Sequence, residues 1–138
     1  MAAPDDVLAA PSPDDRCPCG RGRAFGACCG RLLAGDAQAG TPEDLMRSRY
    51  SAFAVGDAAY LLRTWAPETR PSRVRIDPAM RWTGLEVLAA DGGLLDAEGT
   101  VEFVATYVRP DGPGALHERS RFRRDEGRWT YVDGDQLG

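Results

Sequence analysis

The residues best placed to do chemistry are the four cysteines of the chain, Cys17, Cys19, Cys28 and Cys29. They form two close pairs joined by a short loop rich in glycine and arginine. Thiolates gathered in this way can surround one soft divalent metal ion tetrahedrally. Because sulfur would fill all four positions, none is left for water or substrate, which is typical of a structural site. The pattern therefore predicts one structural zinc ion per chain.

Disulfides, unliganded thiols and a different metal are the alternatives to a zinc site. Disulfides within each pair, Cys17 to Cys19 or Cys28 to Cys29, would be badly strained. A bridge between the pairs, such as Cys17 to Cys28, is geometrically allowed but needs an oxidising compartment, which nothing in the sequence indicates. Unliganded thiols are a further alternative. Four thiolates also accept iron, so the spacing leaves iron open beside zinc.

Composition predicts a soluble, cytoplasmic protein built around one compact domain. The chain has 138 residues, of which 43% are hydrophobic. Residues 1–15 are acidic, proline-rich and free of aromatic side chains, which predicts a disordered tail. They lack the basic and apolar segments of a secretory signal peptide. No apolar run approaches membrane-spanning length, so we expect no membrane insertion.

Charge is distributed unevenly along the chain. The formal net charge is −4, and the aspartates within residues 1–15 account for all of it. Basic and acidic residues balance in the rest of the chain, which argues against a general nucleic-acid-binding protein. The cysteine segment, residues 16–31, nevertheless has no acidic residue and contains Arg16, Arg21, Arg23 and Arg31. These arginines either neutralise the thiolates or form a basic surface that contacts a partner.

Missing residue types exclude several classes of enzyme. The sequence contains no lysine, which excludes a Schiff-base lysine and the lysine of a phosphate-binding P-loop. His117 is the single histidine, which excludes metal catalysis of the HExxH type. Whatever the chain does, most familiar catalytic templates are absent from it.

The elements that must position these residues are helices first and strands afterwards. Thr41 and Pro42 are typical of a helix start, and apolar spacing predicts a helix over residues 43–55. A second helix is expected over residues 58–66. Alternation of apolar and polar residues then predicts strands over 81–90, 100–109, 117–124 and 128–133. This order predicts an α+β fold with helices on one face of a curved antiparallel sheet.

Two known families resemble this chain. Residues 16–31, with Cys17-Pro18-Cys19-Gly20, Phe25 and Gly30, resemble the SEC-C zinc motif of the preprotein translocase ATPase SecA. Residues 45–53, 117–122 and 127–134 resemble the YchJ family. The resemblance implies a zinc knuckle over residues 16–31, followed by a nuclear-transport-factor-2-like (cystatin-like) cone over residues 41–138. Resemblance to the SecA tail also implies a protein partner at the ribosome or in the export or chaperone machinery.

The cone is also expected to hold a ligand pocket. On a helical wheel, Arg49 lies inside the apolar stripe, so its guanidinium should be buried and should need a carboxylate partner. The candidates are Glu102, Glu118 and Asp133. Such a pair either fixes helix to sheet, or Arg49 lines a pocket for an anionic ligand. The residues predicted to line the pocket are Arg49, Tyr50 and Trp129.

These features favour a small cytoplasmic zinc-binding accessory protein over an enzyme. The knuckle would contact a macromolecular partner, and the cone would bind a small molecule or a second protein. An alternative is an isomerase-, dehydratase- or hydrolase-like enzyme that uses Glu102, His117 or Asp133 as acid and base in the cone. A third hypothesis is RNA or ribosome binding through the knuckle arginines.

Overall fold

A computed structural model describes residues 11–93 and 95–138. Within them, a 3₁₀ turn at Phe25–Ala27 is followed by helices α1 (Cys29–Leu33), α2 (Pro42–Val55) and α3 (Ala58–Arg63). Strands β1 (Arg81–Asp91), β2 (Glu98–Arg109), β3 (Gly112–Asp125) and β4 (Arg128–Gln136) come next. The predicted order of helices before strands is confirmed. No helix in the described ranges is long and apolar enough to cross a membrane.

Local sequence signals fix both ends of α2. The Thr41 hydroxyl accepts a hydrogen bond from the backbone N–H of Asp44 at 3.1 Å, which satisfies a donor of the first turn. Pro42 occupies the first turn, where its missing N–H is tolerated. Gly56 ends the helix in the left-handed conformation, with φ of 85°. The predicted helix over 43–55 is confirmed, with one further residue at its start.

Helix α3 ends three residues earlier than predicted. After Arg63 the backbone pairs with β4, because the N–H of Tyr131 donates to the carbonyl of Thr64 at 2.8 Å. The N–H of Ala66 donates back to the carbonyl of Tyr131, also at 2.8 Å. These two bonds use backbone groups that a longer helix would need for itself. The end of α3 is thereby attached to the last strand of the sheet.

In the described part of the chain, four strands form one antiparallel sheet in the order β1-β2-β3-β4. Strand β3 begins at Gly112, five residues before the predicted start at residue 117. Gly114 pairs with Tyr107, and any side chain on Gly114 would collide with the Tyr107 ring. The glycine therefore serves close packing between two strands and not a turn. Bulges in β1 and between β3 and β4 bend the sheet.

Helix α2 packs against β1, β2 and β4, and the core lies between them. The four cysteines and Phe25 belong to this same buried cluster, together with Leu45, Met46 and Tyr50 of α2 and Val101, Phe103, Phe122 and Trp129 of the sheet. The knuckle is therefore part of the core of the cone, and not a separate unit tethered to it.

Only the end of the predicted disordered tail falls within the described residues; residues 1–10 lie outside them. Residues 12–15 form a turn against the knuckle. The N–H of Phe25 donates to the carbonyl of Asp15 at 2.7 Å, and that of Gly26 donates to Pro13 at 2.9 Å. The prediction of disorder is therefore wrong for residues 12–15, because the knuckle supplies donors that their carbonyl groups accept.

Candidate metal centre and ligand cavity

The knuckle folds back on itself through a tight backbone loop. Arg16 and Ala24 form an antiparallel bridge, and the N–H of Cys17 donates to the carbonyl of Arg23 at 2.8 Å. Gly20 and Gly22 take φ values of 81° and 89°, which a residue with a side chain rarely adopts. This loop carries the second cysteine pair back toward the first.

The four cysteine sulfurs converge as the spacing predicts. All of them lie within 4.8 Å of one another, and the Sγ atoms of Cys19 and Cys28 are 3.6 Å apart. A tetrahedron with metal–sulfur bonds of about 2.3 Å has sulfurs about 3.8 Å apart. The thiols are free and no more than 5% exposed. Four convergent sulfur ligands in a closed, buried shell could hold one metal ion.

The electrostatics of the cluster also favour a cation. Burial, together with the nearby charge of Cys19, raises the pKa of Cys28 to about 11. Four thiolates packed together without a cation would repel one another in a poorly solvated place. A divalent metal would supply the missing positive charge and displace the thiol protons. The donor set therefore fits a soft divalent metal.

The knuckle is fastened to one face of α2. The Arg47 guanidinium donates to the backbone carbonyl of Cys19 at 3.0 Å and to the Glu43 carboxylate at 2.9 Å. Four residues further along the helix, the Ser51 hydroxyl lies 3.7 Å from the Cys17 sulfur. These contacts could not be predicted directly from the sequence. Their only trace is the spacing of Arg47 and Ser51, which puts them on one side of the helix.

The knuckle arginines divide into two groups. Arg21 forms ion pairs with Asp44 at 2.9 Å and with Glu43 at 3.5 Å, so it ties the knuckle to the start of α2. Arg16, Arg23 and Arg31 are exposed, and the described residues provide no ion-pair partner for them. We call these three side chains the basic rim.

A cavity of about 280 Å³ lies between α2 and the sheet. Its walls are mostly apolar and aromatic, with Phe53, Trp65, Trp82 and Phe122 among them. Of the three predicted pocket residues, Arg49 and Tyr50 line this cavity. Trp129 does not: it is buried and borders a different depression beside Tyr60. Tyr131, two residues further along β4, lines the cavity instead.

Arg49 is buried as predicted, but its partners differ from those expected. Its side chain is 6% exposed. Its Nη1 donates to the carbonyl of Leu61 at 2.8 Å and to the hydroxyl of Thr64 at 2.7 Å. The guanidinium carbon lies 5.0 Å from the ring centre of Trp65 and 4.6 Å from that of Tyr131. No described carboxylate pairs with it, and burial lowers its pKa to about 10.

The catalytic candidates of the enzyme alternative lie away from the cavity. His117 Nε2 and Glu102 Oε2 are 2.8 Å apart, on the face of the sheet that turns away from α2. Asp133 also lies on that face and pairs with Arg121. The hydrogen bond with His117 is the main cause that lowers the pKa of Glu102. None of the three residues can act on a ligand inside the cavity.

The carboxylate that does line the cavity is Glu118. Its Oε2 accepts hydrogen bonds from the hydroxyl groups of Ser120 at 2.7 Å and Tyr131 at 3.2 Å. Glu118, Ser120 and Phe122 alternate along β3 and share the inner face. Of the three carboxylates that the sequence offered beside Arg49, this alternation singles out Glu118 as the one at the cavity.

Known proteins resemble both parts of the chain. The family model for the middle, NTF2-like domain of YchJ matches residues 41–134, and the family model for the SEC-C motif matches residues 15–31. A UPF0225 protein of Streptomyces coelicolor is 56% identical over 126 residues, which cover 91% of this chain and 98% of that relative.

Two solved structures share the fold. The solution structure of a SEC-C motif containing protein from Rhodopseudomonas palustris matches with a TM-score of 0.78 and 36% identity, covering 90% of this chain and 100% of that one. A crystal structure of a SEC-C motif containing protein from Psychrobacter arcticus matches with a TM-score of 0.72 and 28% identity, covering 88% of this chain and 82% of that one. The similarity extends over the knuckle and the cone.

Proposed function

Since the chain belongs to the YchJ (UPF0225) family, with a SEC-C motif and an NTF2-like domain, we propose that it is a small cytoplasmic zinc-binding accessory protein. In this proposal the zinc ion is structural and holds the knuckle on α2. The knuckle presents the basic rim to a protein partner, and the cone binds a small ligand. The observation that carries the proposal is the closed shell of four buried sulfurs.

A structural zinc ion suits this site better than a catalytic metal ion would. Four thiolates complete a tetrahedral shell, so no position stays open for a reacting molecule. Reduced thiols that converge without a disulfide also fit a reducing compartment, which supports the cytoplasm. Iron binds the same ligands and is the alternative that a metal analysis must distinguish.

The first test is the metal content of protein purified without metal-affinity resin. We expect one zinc per chain by elemental analysis and no reactive thiols until a chelator is added, because every sulfur would be bound to metal. One iron per chain would contradict the zinc assignment. Oxidised cysteines without metal would contradict the metal site altogether.

The basic rim is the part of the knuckle that can meet a partner. Arg16, Arg23 and Arg31 are exposed and lack described ion pairs, whereas Arg21 is held by Asp44. Arginine recognises carboxylates with two parallel hydrogen bonds. An acidic segment of a partner protein therefore suits this surface. Resemblance to the SecA tail supports a partner in the export, chaperone or ribosomal machinery.

Loss of two rim arginines should weaken partner binding and leave the fold intact. We expect Arg23→Ala/Arg31→Ala to reduce recovery of the partner at least about fivefold in affinity capture followed by quantitative mass spectrometry, because charged contacts are lost. Arg73→Ala/Arg75→Ala, which removes two exposed arginines elsewhere, is the matched control.

Three results would contradict the protein-partner proposal. One is equal capture by the two double variants. Another is capture that nuclease treatment abolishes. The third is binding of the protein to RNA alone, with an affinity that falls steeply as the salt concentration rises. The last two results would favour RNA binding instead.

Arg21→Ala should behave differently from the rim variants, because it loosens the knuckle from α2 and lowers thermal stability.

The enzyme alternative has little support from the geometry. It assigned acid and base roles to Glu102, His117 or Asp133, and all three lie outside the cavity. Glu118 is the carboxylate at the cavity wall, and both of its neighbouring donors bind a single oxygen of it. This arrangement is better suited to holding a ligand than to transferring protons.

A further inference from the structure

We propose that the cavity binds a small, uncharged molecule with a carboxamide-like edge, whose carbonyl faces Arg49 and whose N–H faces Glu118. The inference rests on the proposed ligand-binding role of the cone and names the class of ligand. Its support comes from two charged groups, the aromatic walls and the size of the cavity.

Arg49 offers donors that no described residue uses. Its Nη1 makes both of its hydrogen bonds, to Leu61 and Thr64, and the described residues accept none from Nε or Nη2. Stacking between Trp65 and Tyr131 fixes the plane of the guanidinium. Nearby, the indole N–H of Trp65 is buried without a described partner. Donors held in this way favour a ligand that brings an acceptor.

Glu118 offers the complementary acceptor. The hydroxyl groups of Ser120 and Tyr131 both donate to Oε2, and no described donor reaches Oε1. Gly134 packs directly against this carboxylate and would push it aside if it carried a side chain. The carboxylate is thus held in position with one oxygen available for a ligand donor.

The charge balance of the cavity favours a ligand without net charge. Arg49 and Glu118 both line the cavity but form no ion pair with each other, so a ligand group can stand between them. An anion beside Arg49 would also meet the Glu118 carboxylate, and a cation beside Glu118 would also meet Arg49. A carboxamide presents an acceptor and a donor on one edge and satisfies both residues without adding charge.

The walls and the volume define the rest of the ligand. Tyr50, Phe53, Trp82 and Phe103 supply flat apolar surface, which favours an aromatic or compact apolar body. A cavity of about 280 Å³ lies just below the usual range for sites of drug-sized ligands, so the ligand should be small.

The test is a set of four probes that share a ring and differ in one group: benzamide, benzoate, benzylamine and toluene. Each is titrated into zinc-loaded, ¹⁵N-labelled full-length protein and followed by NMR. We expect benzamide to bind at least about tenfold more tightly than the other three, because it alone satisfies both charged residues. The indole signals of Trp65 and Trp82 should shift first.

Two variants locate the effect within the cavity. Glu118→Gln should weaken benzamide about fivefold to tenfold and strengthen benzoate, because the repelling charge is removed. Gly134→Ala should also weaken benzamide by displacing the carboxylate. Glu102→Gln, on the opposite face of the same sheet, is the matched control and should change neither affinity. Amide spectra and thermal melts show whether each variant is folded.

Toluene binding as tightly as benzamide would overturn the proposal, because the cavity would then be a simple apolar site. The same conclusion follows if Glu118→Gln and Glu102→Gln behave alike, or if no probe binds at millimolar concentration. Zinc content and partner capture by the basic rim do not depend on the cavity. Failure of the proposed ligand class can therefore be distinguished from failure of the zinc proposal or of the partner proposal.

Discussion

Replacing Cys19 by serine should remove the metal and lower the free energy of unfolding by at least about 3 kcal/mol. Cys19 is completely buried, and its sulfur lies beside that of Cys28. A serine hydroxyl is a poor ligand for a soft metal, so the shell would lose one of its four donors. The three remaining thiols would then be buried without the cation that favours their ionised form.

The loss should spread beyond the knuckle. The cysteines pack in the same core cluster as Leu45 and Tyr50 of α2 and Phe103 of β2. If the knuckle loosens, one side of α2 becomes exposed to water, and apolar contact with the sheet is lost. We therefore expect a lower melting temperature for the entire domain, and not a local change that a melting curve would miss.

Two controls separate metal loss from a general effect of mutation. Wild-type protein treated with a chelator should melt close to Cys19→Ser, because both lack the ion. Arg23→Ala alters an exposed knuckle residue and should retain one zinc per chain. A Cys19→Ser protein that keeps its metal and its melting temperature would show that the cluster has no structural role.

Features governed by neighbouring residues could be predicted from the sequence. The cysteine spacing predicted the sulfur cluster, because one short loop brings the two pairs together. Thr41, Pro42 and Gly56 predicted the ends of α2, since capping involves residues within a turn of the boundary. The order of elements and the resemblance to known families predicted the α+β cone.

Features that depend on distant contacts were missed. Arg47 binds the backbone of Cys19, and Arg49 binds groups on α3 and stacks on a ring of β4. A helical wheel shows that Arg49 is buried but not what surrounds it. Charge complementarity suggested a carboxylate, whereas a carbonyl, a hydroxyl and two aromatic rings provide the contacts.

The position of Asp133 shows how one bulge can make a prediction from strand alternation wrong. Trp129, Tyr131 and Asp133 alternate along β4, which would put all three on the inner face. Phe122 pairs with Tyr131, but Arg121 pairs with Asp133, so Val132 is an extra residue in the ladder. This irregularity turns Asp133 to the outer face, where it meets Arg121. Glu102 is different, because its position between Val101 and Phe103 already indicated the outer face.

Replacing Arg49 should be the most damaging change outside the metal centre. Arg49 connects α2 to the point where α3 joins β4, through Leu61, Thr64 and the rings of Trp65 and Tyr131. We expect Arg49→Met to lower the free energy of unfolding by about 2 kcal/mol, because these contacts are lost together. Arg49→Lys keeps the charge but not the flat, stacked group and should lose about 1 kcal/mol.

Two opposing effects decide the size of this change. Removing a buried charge relieves its desolvation penalty, and apolar replacements of buried ions are often neutral or stabilising. Here the guanidinium has no carboxylate partner but has two hydrogen bonds and two stacked rings, and methionine replaces none of these contacts. Urea unfolding, followed by the fluorescence of Trp65 and its neighbours, measures the outcome, with exposed Arg75→Met as the matched control. An Arg49→Met protein as stable as the wild type would mean that desolvation balances these contacts, and that the fold holds Arg49 at the cavity for binding alone.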